Sequence, residues 1–476
     1  MNNIIGITIS IGFILLVLGI AALLAKYTAS ESELSRKTVH ILVGNWVFIT
    51  PLFDNLWALL FVPFTFVIVN WISKEKQVFK AMERQDDSWG TVYYAISILV
   101  LSLLSWFTKM PILLYAGVLI MAYGDGLAAL IGQKYGTNTG VLGIQGKSWA
   151  GSLTVSIVSG IVTYLSLFIL TPGVSNGHRI ALSLVTAIFA TLIELSGTNG
   201  VDNLTLPIGV SLFIGLSLLN LTSGYFIYLA LMIVILLFSF IKAKITLDGL
   251  IVAFLTGAAI YILGNPWLGM ALIAFFILGT VITRFGPRNQ SIDSSSEQES
   301  AARDWKQVIA NSLPAVILAT IYYFTDNLNV LMISFAIFSA ATSDTFASEL
   351  GTKTNNKVFS IINLKEVPKG LSGGITISGL FFSLIGSFII SLLAFPLFGI
   401  QGLLINTVLG LLGSIIDSIL GATIQKKYLN SDGELQDEAE HPNQEVVKGF
   451  KLITNSHINF LALSIVAIIG LSWVVF

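Results

Sequence analysis

Residues 3–25 read NIIGITISIGFILLVLGIAALLA, an apolar stretch without a charged side chain. An α-helix rises about 1.5 Å per residue, so this stretch can cross the roughly 30 Å hydrocarbon core of a bilayer. It is too long for the apolar region of a cleavable signal peptide, and a second spanning pattern follows at once. The stretch therefore predicts a membrane-spanning helix that stays in the protein.

Similar stretches recur along the whole chain. Of its 476 residues, 55% are hydrophobic and 11% are charged, whereas soluble domains carry about 25% charged residues. The short alternating segments of a transmembrane barrel are not the pattern here. We predict an all-α polytopic membrane protein with about 16 transmembrane helices. The predicted spans are 3–25, 37–53, 56–73, 91–108, 110–131, 149–171, 178–195, 203–221, 223–241, 247–264, 266–284, 306–325, 328–349, 372–396, 398–424 and 454–475.

Charge and residue types exclude several classes of function. The formal net charge is −1, which argues against a nucleic-acid partner. The chain has no cysteine, and this excludes a disulfide framework, a thiolate nucleophile and a cysteine-ligated metal centre.

The basic residues predict the orientation of the chain. If alternate loops face the cytoplasm, the loops after the odd-numbered spans hold 23 of the 25 Lys and Arg residues, and only Lys109 and Arg179 lie on the other side. The positive-inside rule then places both termini outside and the long loops in the cytoplasm, in what we expect to be a bacterial plasma membrane. Of two polar inserts, residues 291–300 are expected to form a flexible linker and the acidic run 431–445 a solvated loop.

Two passages of the chain resemble each other. The first contains Asp125 and Lys147, and the second contains Asp344 and Lys369 in the same order. In each, a helix that ends in small residues brings the Asp to the cytoplasmic surface, and a glycine-rich loop with the Lys opens the next helix. Such a repeat predicts an ancient duplication. The predicted halves are residues 1–243 and 244–476.

Acidic side chains inside spanning helices are energetically costly and predict a function. All of them lie at predicted cytoplasmic ends, beside Gly, Ser or Thr. Pairing with Lys or Arg would explain one or two, whereas a shared site explains the whole set. These acids are Asp125, Glu194, Asp344, Glu349 and Asp417.

The glycine-rich loops beside these acids are typical of phosphate sites, because each combines a helix start with a lysine. Carboxylates near phosphates usually hold Mg²⁺, so two metal–polyphosphate sites are predicted. The Gly-Lys-Ser at 146–148 is not a P-loop, because Val141 stands where that motif needs glycine and no strand is predicted before it. The predicted loop ligands are Lys147, Ser148, Gly151, Ser152, Lys369, Gly373 and Gly374.

Other polar side chains fall on the same predicted face. Arg36, Lys37 and His40 open the second span, and Asp202 and Asn203 stand in a short inner loop. Lipid-facing positions would not tolerate such groups, so we expect them to point into the helix bundle. The corresponding polar residues of the second half are Arg303, Gln307, Asn311, Asp417, Asn455 and Asn459.

These motifs carry two resemblances. Residues 30–240 resemble the phytol kinase and dolichol kinase family of membrane prenol kinases. The matching residues are Arg36, Lys37, His40, Gly124, Asp125, Gly126, Gly132, Gly136, Lys147, Ser148, Gly151, Ser152, Glu194, Asp202, Asn203 and Pro207. Residues 245–476 are similar to the membrane family that includes the plant phytyl-phosphate kinase. The matching residues include Arg303, Gln307, Asn311, Asp344, Glu349, Lys369, Gly373, Gly374, Asp417, Asn455 and Asn459.

The resemblances imply a function. The first family phosphorylates a long-chain prenol with CTP or a related nucleotide and a divalent metal, and the second is associated with adding a second phosphate. We therefore expect a membrane kinase that converts phytol, geranylgeraniol or farnesol to the monophosphate and then the diphosphate. CTP or another nucleoside triphosphate with Mg²⁺ would be the donor. The expected partners are prenol and prenyl-phosphate lipids and the surrounding membrane lipids.

The resemblances also imply a role for each residue. The expected catalytic residues are His40, Asp125, Glu194, Asp202, Asp344 and Asp417. The expected metal ligands are Asp125, Asp344, Glu349 and Asp417. The expected nucleotide or phosphate ligands are Arg36, Lys37, Lys147, Ser148, Gly151, Ser152, Asn203, Arg303, Lys369, Gly373, Gly374, Asn455 and Asn459.

Two other functions fit part of this pattern. A CTP-dependent cytidylyltransferase of a lipid phosphate shares the membrane, the metal and the nucleotide, but it releases pyrophosphate where a kinase releases CDP. A transporter built from two repeats would place its polar groups near the bilayer midplane, whereas here they collect at one face. The same residue pattern would serve several prenols and several nucleotides, and it predicts no oligomeric state.

Overall fold

The computed structural model describes residues 2–27, 33–76, 89–136, 139–283, 302–354, 356–441 and 443–475. Within these ranges the chain folds mainly into α-helices joined by loops. It divides into two compact units, Met1–Leu229 and Ala230–Phe476. The linker predicted at residues 291–300 lies outside the described residues.

The first unit contains ten helices of the described chain, the last of which includes the unit boundary. They are α1 (Asn2–Tyr27), α2 (Glu33–Gly44), α3 (Leu56–Lys76), α4 (Gly90–Thr108), α5 (Pro111–Leu119), α6 (Gly126–Tyr135), α7 (Trp149–Leu170), α8 (Asn176–Ser196), α9 (Asp202–Leu219) and α10 (Ser223–Ile241). A 3-10 helix, Asn45–Leu52, extends α2, and a π-helical segment, Ile120–Asp125, joins α5 to α6. An antiparallel hairpin of β1 (Thr139–Val141) and β2 (Ile144–Ser148) precedes α7.

The second unit repeats this pattern of helices and short hairpins. Its helices are α11 (Leu247–Ala259), α12 (Pro266–Thr283), α13 (Trp305–Thr325), α14 (Leu328–Gly351), α15 (Ile377–Ser391), α16 (Phe395–Thr423) and α17 (Asn455–Val475). A π-helical segment, Ile260–Gly264, extends α11. Its hairpins pair β3 (Phe359–Ser360) with β4 (Gly374–Ile375), and β5 (Tyr428–Leu429) with β6 (Leu435–Gln436).

The all-α polytopic membrane fold is confirmed. In the described part of the chain, 14 helices are long and apolar enough to cross a membrane. The other two of the about 16 predicted spans are shorter. Span 37–53 is the end of α2 with its 3-10 extension, and span 372–396 shortens to α15 because its first residues form loop and strand.

The most buried helix of each unit carries one of the predicted acids. In the second unit this helix is α14, where 83% of the residues in the most apolar membrane-length window are buried. In the first unit it is the continuous helix Pro111–Tyr135, formed by α5, the π-helical segment and α6, where 78% of them are buried. Small and hydroxyl side chains let neighbouring helices approach these two closely. In the second unit, for example, the Ser343 and Ser383 hydroxyls lie 2.7 Å apart between α14 and α15. Asp125 and Asp344 are therefore placed on rigid elements in the interior of their units.

In the first unit a serine and two glycines determine where α7 begins. Ser148 is its N-cap, and the side-chain oxygen accepts a hydrogen bond from Gly151 N–H, which satisfies one of the free amides at a helix start. A side chain on Gly132 of α6 would meet Ser148 Oγ and Gly151 Cα. The two glycines thus allow α6 and α7 to cross in contact.

The second unit has the same helix start, but at a different residue from the one the sequence pairing predicts. Thr376 caps α15 and accepts from Gly379 N–H at 2.8 Å, and Gly351 of α14 lies against Gly379. The structural counterpart of Gly151 is therefore Gly379. The predicted counterpart, Gly373, belongs to the loop before β4, because the N-cap and not the glycine spacing marks where the helix begins.

The acidic run 431–445 is more than the solvated loop that the sequence predicted. Its first part forms the β5–β6 hairpin, and the carboxylate of Asp437 accepts two hydrogen bonds from Ser372. The remaining acids of the run are exposed, as predicted. The prediction is wrong for Asp437 because composition reports the average solvation of a segment and not the contacts of one residue.

The tight crossings of small residues make a testable prediction. Gly117 of α5 faces Ser211 and the Pro207 carbonyl, and an added methyl group would overlap Ser211 Oγ. We expect Gly117→Ala to destabilise the protein by about 1–3 kcal/mol, as overpacking of a filled interior does. Gly19→Ala is the matched control, because nothing lies within 4 Å of its added methyl, and alanine favours helix by about 1 kcal/mol over glycine. Thermal unfolding in detergent measures the stability of both variants. Equal melting temperatures for Gly117→Ala and Gly19→Ala would contradict the close contact of Gly117 with Ser211.

Candidate functional site

A polar cavity of about 560 Å³ lies in the first unit, at the ends of α2, α6, α7, α8 and α9. Most of the residues predicted for the first half line it. They are Arg36, Lys37, Asp125, Lys147, Ser148, Gly151, Ser152, Glu194, Asp202 and Asn203. Three carboxylates and three basic groups thus share one cavity, and their formal charges balance.

Asp125 is held at the end of the π-helical segment by two partners. Its Oδ2 lies 2.6 Å from Lys37 Nζ and 3.3 Å from His40 Nε2. His40 Nε2 also lies 3.1 Å from the Met121 carbonyl oxygen, and His40 is absent from the cavity lining. His40 thus contacts Asp125 from outside the cavity lining, and its catalytic role stays a prediction.

Lys147 and Glu194 form the second ion pair of the cavity. The β1–β2 hairpin carries Lys147 to the start of α7, where Nζ donates to Glu194 Oε1 at 2.6 Å and to the Glu194 carbonyl at 2.7 Å. Buried charges are tolerated when they are paired and hydrogen-bonded. The pair joins the start of α7 to the end of α8 and keeps both charges at the cavity wall.

Two polar side chains of the cavity lack a hydrogen-bond partner in the described structure. They are Ser152 Oγ and Asn203 Oδ1, and both atoms are buried. Leaving a buried polar group unsatisfied costs about 1–3 kcal/mol, so such groups are expected where a ligand supplies the partner. Both residues line the cavity, and both were predicted from the sequence as phosphate ligands.

The second unit has a smaller cavity of about 180 Å³ around two carboxylates. Asp344 comes from α14 and Asp417 from α16, and both line this one cavity. Asn455 and the loop residues Gly373 and Gly374 line the same cavity. No Lys or Arg is among its lining residues in the described part of the chain.

An amide from α17 contacts one of these two carboxylates, that of Asp417. When the Asn459 side chain is oriented with its nitrogen toward Asp417, it donates to Asp417 Oδ2 and to the Asn455 carbonyl, both at 3.1 Å. A neutral amide satisfies one lone pair but does not neutralise the charge. The second cavity therefore differs from the first, because its acids lack a basic partner in the described structure.

Three residues predicted for the second site lie elsewhere. Lys369 is exposed, and its Nζ donates to the Thr354 carbonyl at 3.1 Å. Arg303 lies in a separate, mostly apolar crevice, stacked on Phe276, where burial lowers its pKa and the carboxylate of Glu349 opposes that shift. Glu349 is five residues beyond Asp344, and because an α-helix turns about 100° per residue, the two point to different faces of α14.

Two residues of the second site were missed by sequence reasoning. Ser372 lines the cavity next to Gly373, and Asp437 holds Ser372 from outside it. The only sequence signal was the acidic run that contains Asp437. Composition alone does not tell which acid in such a run folds back onto the protein.

The donor set can be tested against the predicted Mg²⁺. The described residues contain no group of three or more His, Asp or Glu side chains arranged to hold a metal ion. Mg²⁺ in phosphate-transfer sites, however, is usually bound by one or two carboxylates together with substrate phosphates and water. Asp344 and Asp417 fit that mode. Asp125 fits it less directly, because Lys37 already occupies one of its oxygens.

Comparison with known proteins places the chain among membrane proteins. The family described as integral membrane protein DUF92 matches residues 230–467. An uncharacterized membrane protein of Methanocaldococcus jannaschii is 31% identical over 248 residues, which cover 51% of this chain and 92% of that protein. The phytol kinase of Synechocystis is 33% identical over 211 residues, which cover 40% of this chain and 82% of the kinase. Protein PGR of Arabidopsis thaliana is 28% identical over 252 residues, which cover 47% of this chain and 87% of that protein.

No solved structure matches the chain. The family match covers half of the chain, and the similarity to the Synechocystis kinase covers most of that enzyme's length. The chain therefore belongs to the integral membrane protein DUF92 family and has phytol kinases among its homologues.

Proposed function

We propose that this protein is a membrane prenol kinase, which transfers a phosphoryl group from a nucleoside triphosphate to the hydroxyl of a long-chain prenol. The observation that carries the proposal is the first-unit cavity, where two lysine–carboxylate pairs and two unpaired polar atoms meet at the ends of membrane helices. The phytol kinase homologues support the same reaction class. Phytol, geranylgeraniol and farnesol are the substrates to test, because each can keep its tail in the bilayer.

Phosphoryl transfer asks the protein mainly for positioning and charge neutralisation. In the first unit, Lys37 and Lys147 bind the donor phosphates, and Ser152 and Asn203 supply the remaining polar contacts. Asp125 would hold Mg²⁺, which would neutralise charge on the donor phosphates. The donor is CTP or another nucleoside triphosphate.

Asp202 is the best candidate to orient the prenol hydroxyl. It lines the cavity, its Oδ1 accepts from Asn203 N–H at 3.1 Å, and it is in no ion pair among the described residues. Of the other acids, Glu194 is engaged by Lys147. In the reaction the prenol oxygen bonds to the γ-phosphorus, the bond to the nucleoside diphosphate breaks, and the hydroxyl proton leaves through Asp202 or water.

We further propose that the second unit adds the second phosphate. Asp344 and Asp417 would hold Mg²⁺, and the loop with Gly373 and Gly374 would face the phosphates. An oxygen of the prenyl monophosphate attacks the γ-phosphorus of the donor, and the nucleoside diphosphate again leaves. On this proposal the chain is a fusion of two kinases that act in sequence on one lipid.

Product analysis tests the division of labour. Purified protein in detergent is incubated with labelled geranylgeraniol or its monophosphate, Mg²⁺ and each nucleoside triphosphate. We expect Asp125→Asn to reduce prenol phosphorylation by about 100-fold or more, since it removes charge stabilisation at the reacting group, and to leave diphosphate formation from the monophosphate intact. Asp344→Asn should accumulate the monophosphate. Asp326→Asn, at an exposed position, is the control.

Three results would contradict this proposal. No product with any pair of substrates would exclude a kinase. Release of pyrophosphate with a CDP-lipid would identify a cytidylyltransferase. Loss of the first step in Asp344→Asn, with Asp125→Asn active, would reverse the assignment of the two units.

A serine pair on α7 separates ligand binding from folding. Ser152 Oγ and Ser159 Oγ are both buried without a partner in the described structure, but only Ser152 lines the cavity. A hydrogen bond to a charged group contributes about 1.5–3 kcal/mol, so Ser152→Ala should raise the KM of the donor about 10- to 100-fold. Ser159→Ala should leave the KM unchanged, and neither variant should melt earlier. Equal KM values would remove Ser152 from the site.

We also propose that both cavities open toward the cytoplasm of a bacterial plasma membrane and that both termini lie outside. The chain has no native cysteine, so any labelling by a thiol reagent comes from the single cysteine that is introduced. We expect Gly173→Cys to react with a membrane-impermeant maleimide in intact cells and Ser431→Cys to react only after permeabilisation, because both positions are exposed on opposite predicted sides. The reverse labelling would invert the orientation.

A further inference from the structure

The loop before α15 is held in place by a residue far away in the sequence. The Ser372 N–H and hydroxyl both donate to Asp437 Oδ2, at 2.8 and 2.7 Å. The Ser372 carbonyl accepts from Lys427 Nζ at 2.7 Å. All the polar groups of this loop residue are therefore bonded to the segment that carries the β5–β6 hairpin.

The two residues that hold Ser372 also hold each other. Lys427 Nζ lies 3.2 Å from Asp437 Oδ1, and the Lys427 side chain is only 2% exposed. A buried ammonium must be paired and hydrogen-bonded to be tolerated. Burial lowers the pKa of Lys427, and Asp437 opposes that shift. The pair is thus a buried part of the fold, which we call the Lys427–Asp437 clamp.

The loop needs such support because its backbone is unusual. Gly370 and Gly373 both have φ of +87°, a conformation that glycine adopts readily and other residues rarely. Gly373 also packs directly against the backbone of Ala422 on α16. Glycine backbones are flexible when nothing holds them, and the clamp contacts the residue just before Gly373.

The first unit supports its own loop in a different way. There the β1–β2 hairpin leads directly into α7, with Thr139 opposite Ser148, and Lys147 is bonded to Glu194 at the cavity wall. In the second unit the lysine of the loop, Lys369, is exposed and bonded to Thr354. The loop of the second unit therefore depends on an outside anchor that the first does not use.

We infer that Lys427 and Asp437 are positioning residues of the second site, and that they hold the Gly370–Ile375 loop in the shape that receives the prenyl monophosphate and the donor phosphates. This inference rests on the proposed function of the second unit. Neither residue is among those that line the cavity. They act through Ser372, whose neighbours Gly373 and Gly374 line the cavity with Asp344 and Asp417.

Two variants test the clamp without relying on one that might misfold. Asp437→Asn removes the charge but keeps the shape, and it leaves Lys427 buried without its counter-ion. The double variant Lys427→Met with Asp437→Asn removes both charges, which folded proteins usually tolerate better than the loss of one. Glu438→Gln is the matched control, because Glu438 is exposed and adjacent in sequence. Melting temperatures in detergent confirm that each protein is folded.

Hydrogen–deuterium exchange of the full-length protein gives a readout that does not depend on activity. We expect peptides from residues 368–376 to exchange at least tenfold faster in both clamp variants than in wild type or Glu438→Gln. Peptides from α14 and α16 should be unchanged. Equal exchange in the loop would overturn the clamp whether or not the protein is a kinase.

Kinetics then connect the loop to the site. With geranylgeranyl monophosphate and the nucleotide that wild type uses, the clamp variants should raise the KM values at least tenfold and change kcat less than threefold. Faster loop exchange with unchanged KM would overturn the positioning role. If the wild-type protein makes no diphosphate, the proposed function of the second unit is wrong, and the clamp has no role in that reaction. The hydrogen–deuterium exchange result would still decide whether the clamp holds the loop.

Discussion

A charge inside a membrane protein must find a partner, because the bilayer offers no water to replace it. This constraint explains where the polar residues of the chain lie. Asp125 and Asp344 each lie on the most buried described helix of their unit, where neighbouring protein groups must replace water around the carboxylate. In the first unit the partner of Asp125 is Lys37 at 2.6 Å. The packing of small residues around both helices keeps these contacts in a fixed geometry.

The two units satisfy this constraint differently, and the difference bears on chemistry. The first cavity balances three carboxylates with three basic groups, so it is neutral before any ligand binds. The second cavity holds Asp344 and Asp417 with hydroxyls and amides. A pair of close carboxylates can be neutralised by protons or by a cation, and oxygen ligands of this kind suit a hard divalent metal. The case for Mg²⁺ is therefore strongest in the second unit.

Sequence reasoning predicted the fold class and named most of the residues that line the first cavity, because apolar length and short motifs mark both. Apolar length predicts a span, and the motif from Lys147 to Ser152 lies at one helix start. In the second unit several of the named residues lie outside the cavity, because the shape of the loop before α15 depends on contacts that no motif marks. The exposure of Lys369 and the pairing of Ser372 with Asp437, 65 residues away, follow from how the loop folds back. Gly379 replaces Gly373 as the helix-crossing residue for a local reason: the N-cap hydrogen bond of Thr376 sets the helix start, and the spacing between motifs does not.

The charge balance also indicates what a phosphate ligand would do in each unit. On the proposed function, donor phosphates would replace the carboxylates as partners of Lys37 and Lys147 in the first unit, and Asp125 would then be free to hold the metal. In the second, the two carboxylates lack a basic partner in the described lining, so in their ionised form they would repel a phosphate unless a cation entered with it. On the proposed function, nucleotide binding in the second unit should then be coupled to the metal, whereas in the first the lysines bear part of that role. The same desolvation that makes charges costly inside the membrane thereby makes the two proposed phosphorylation sites electrostatically distinct.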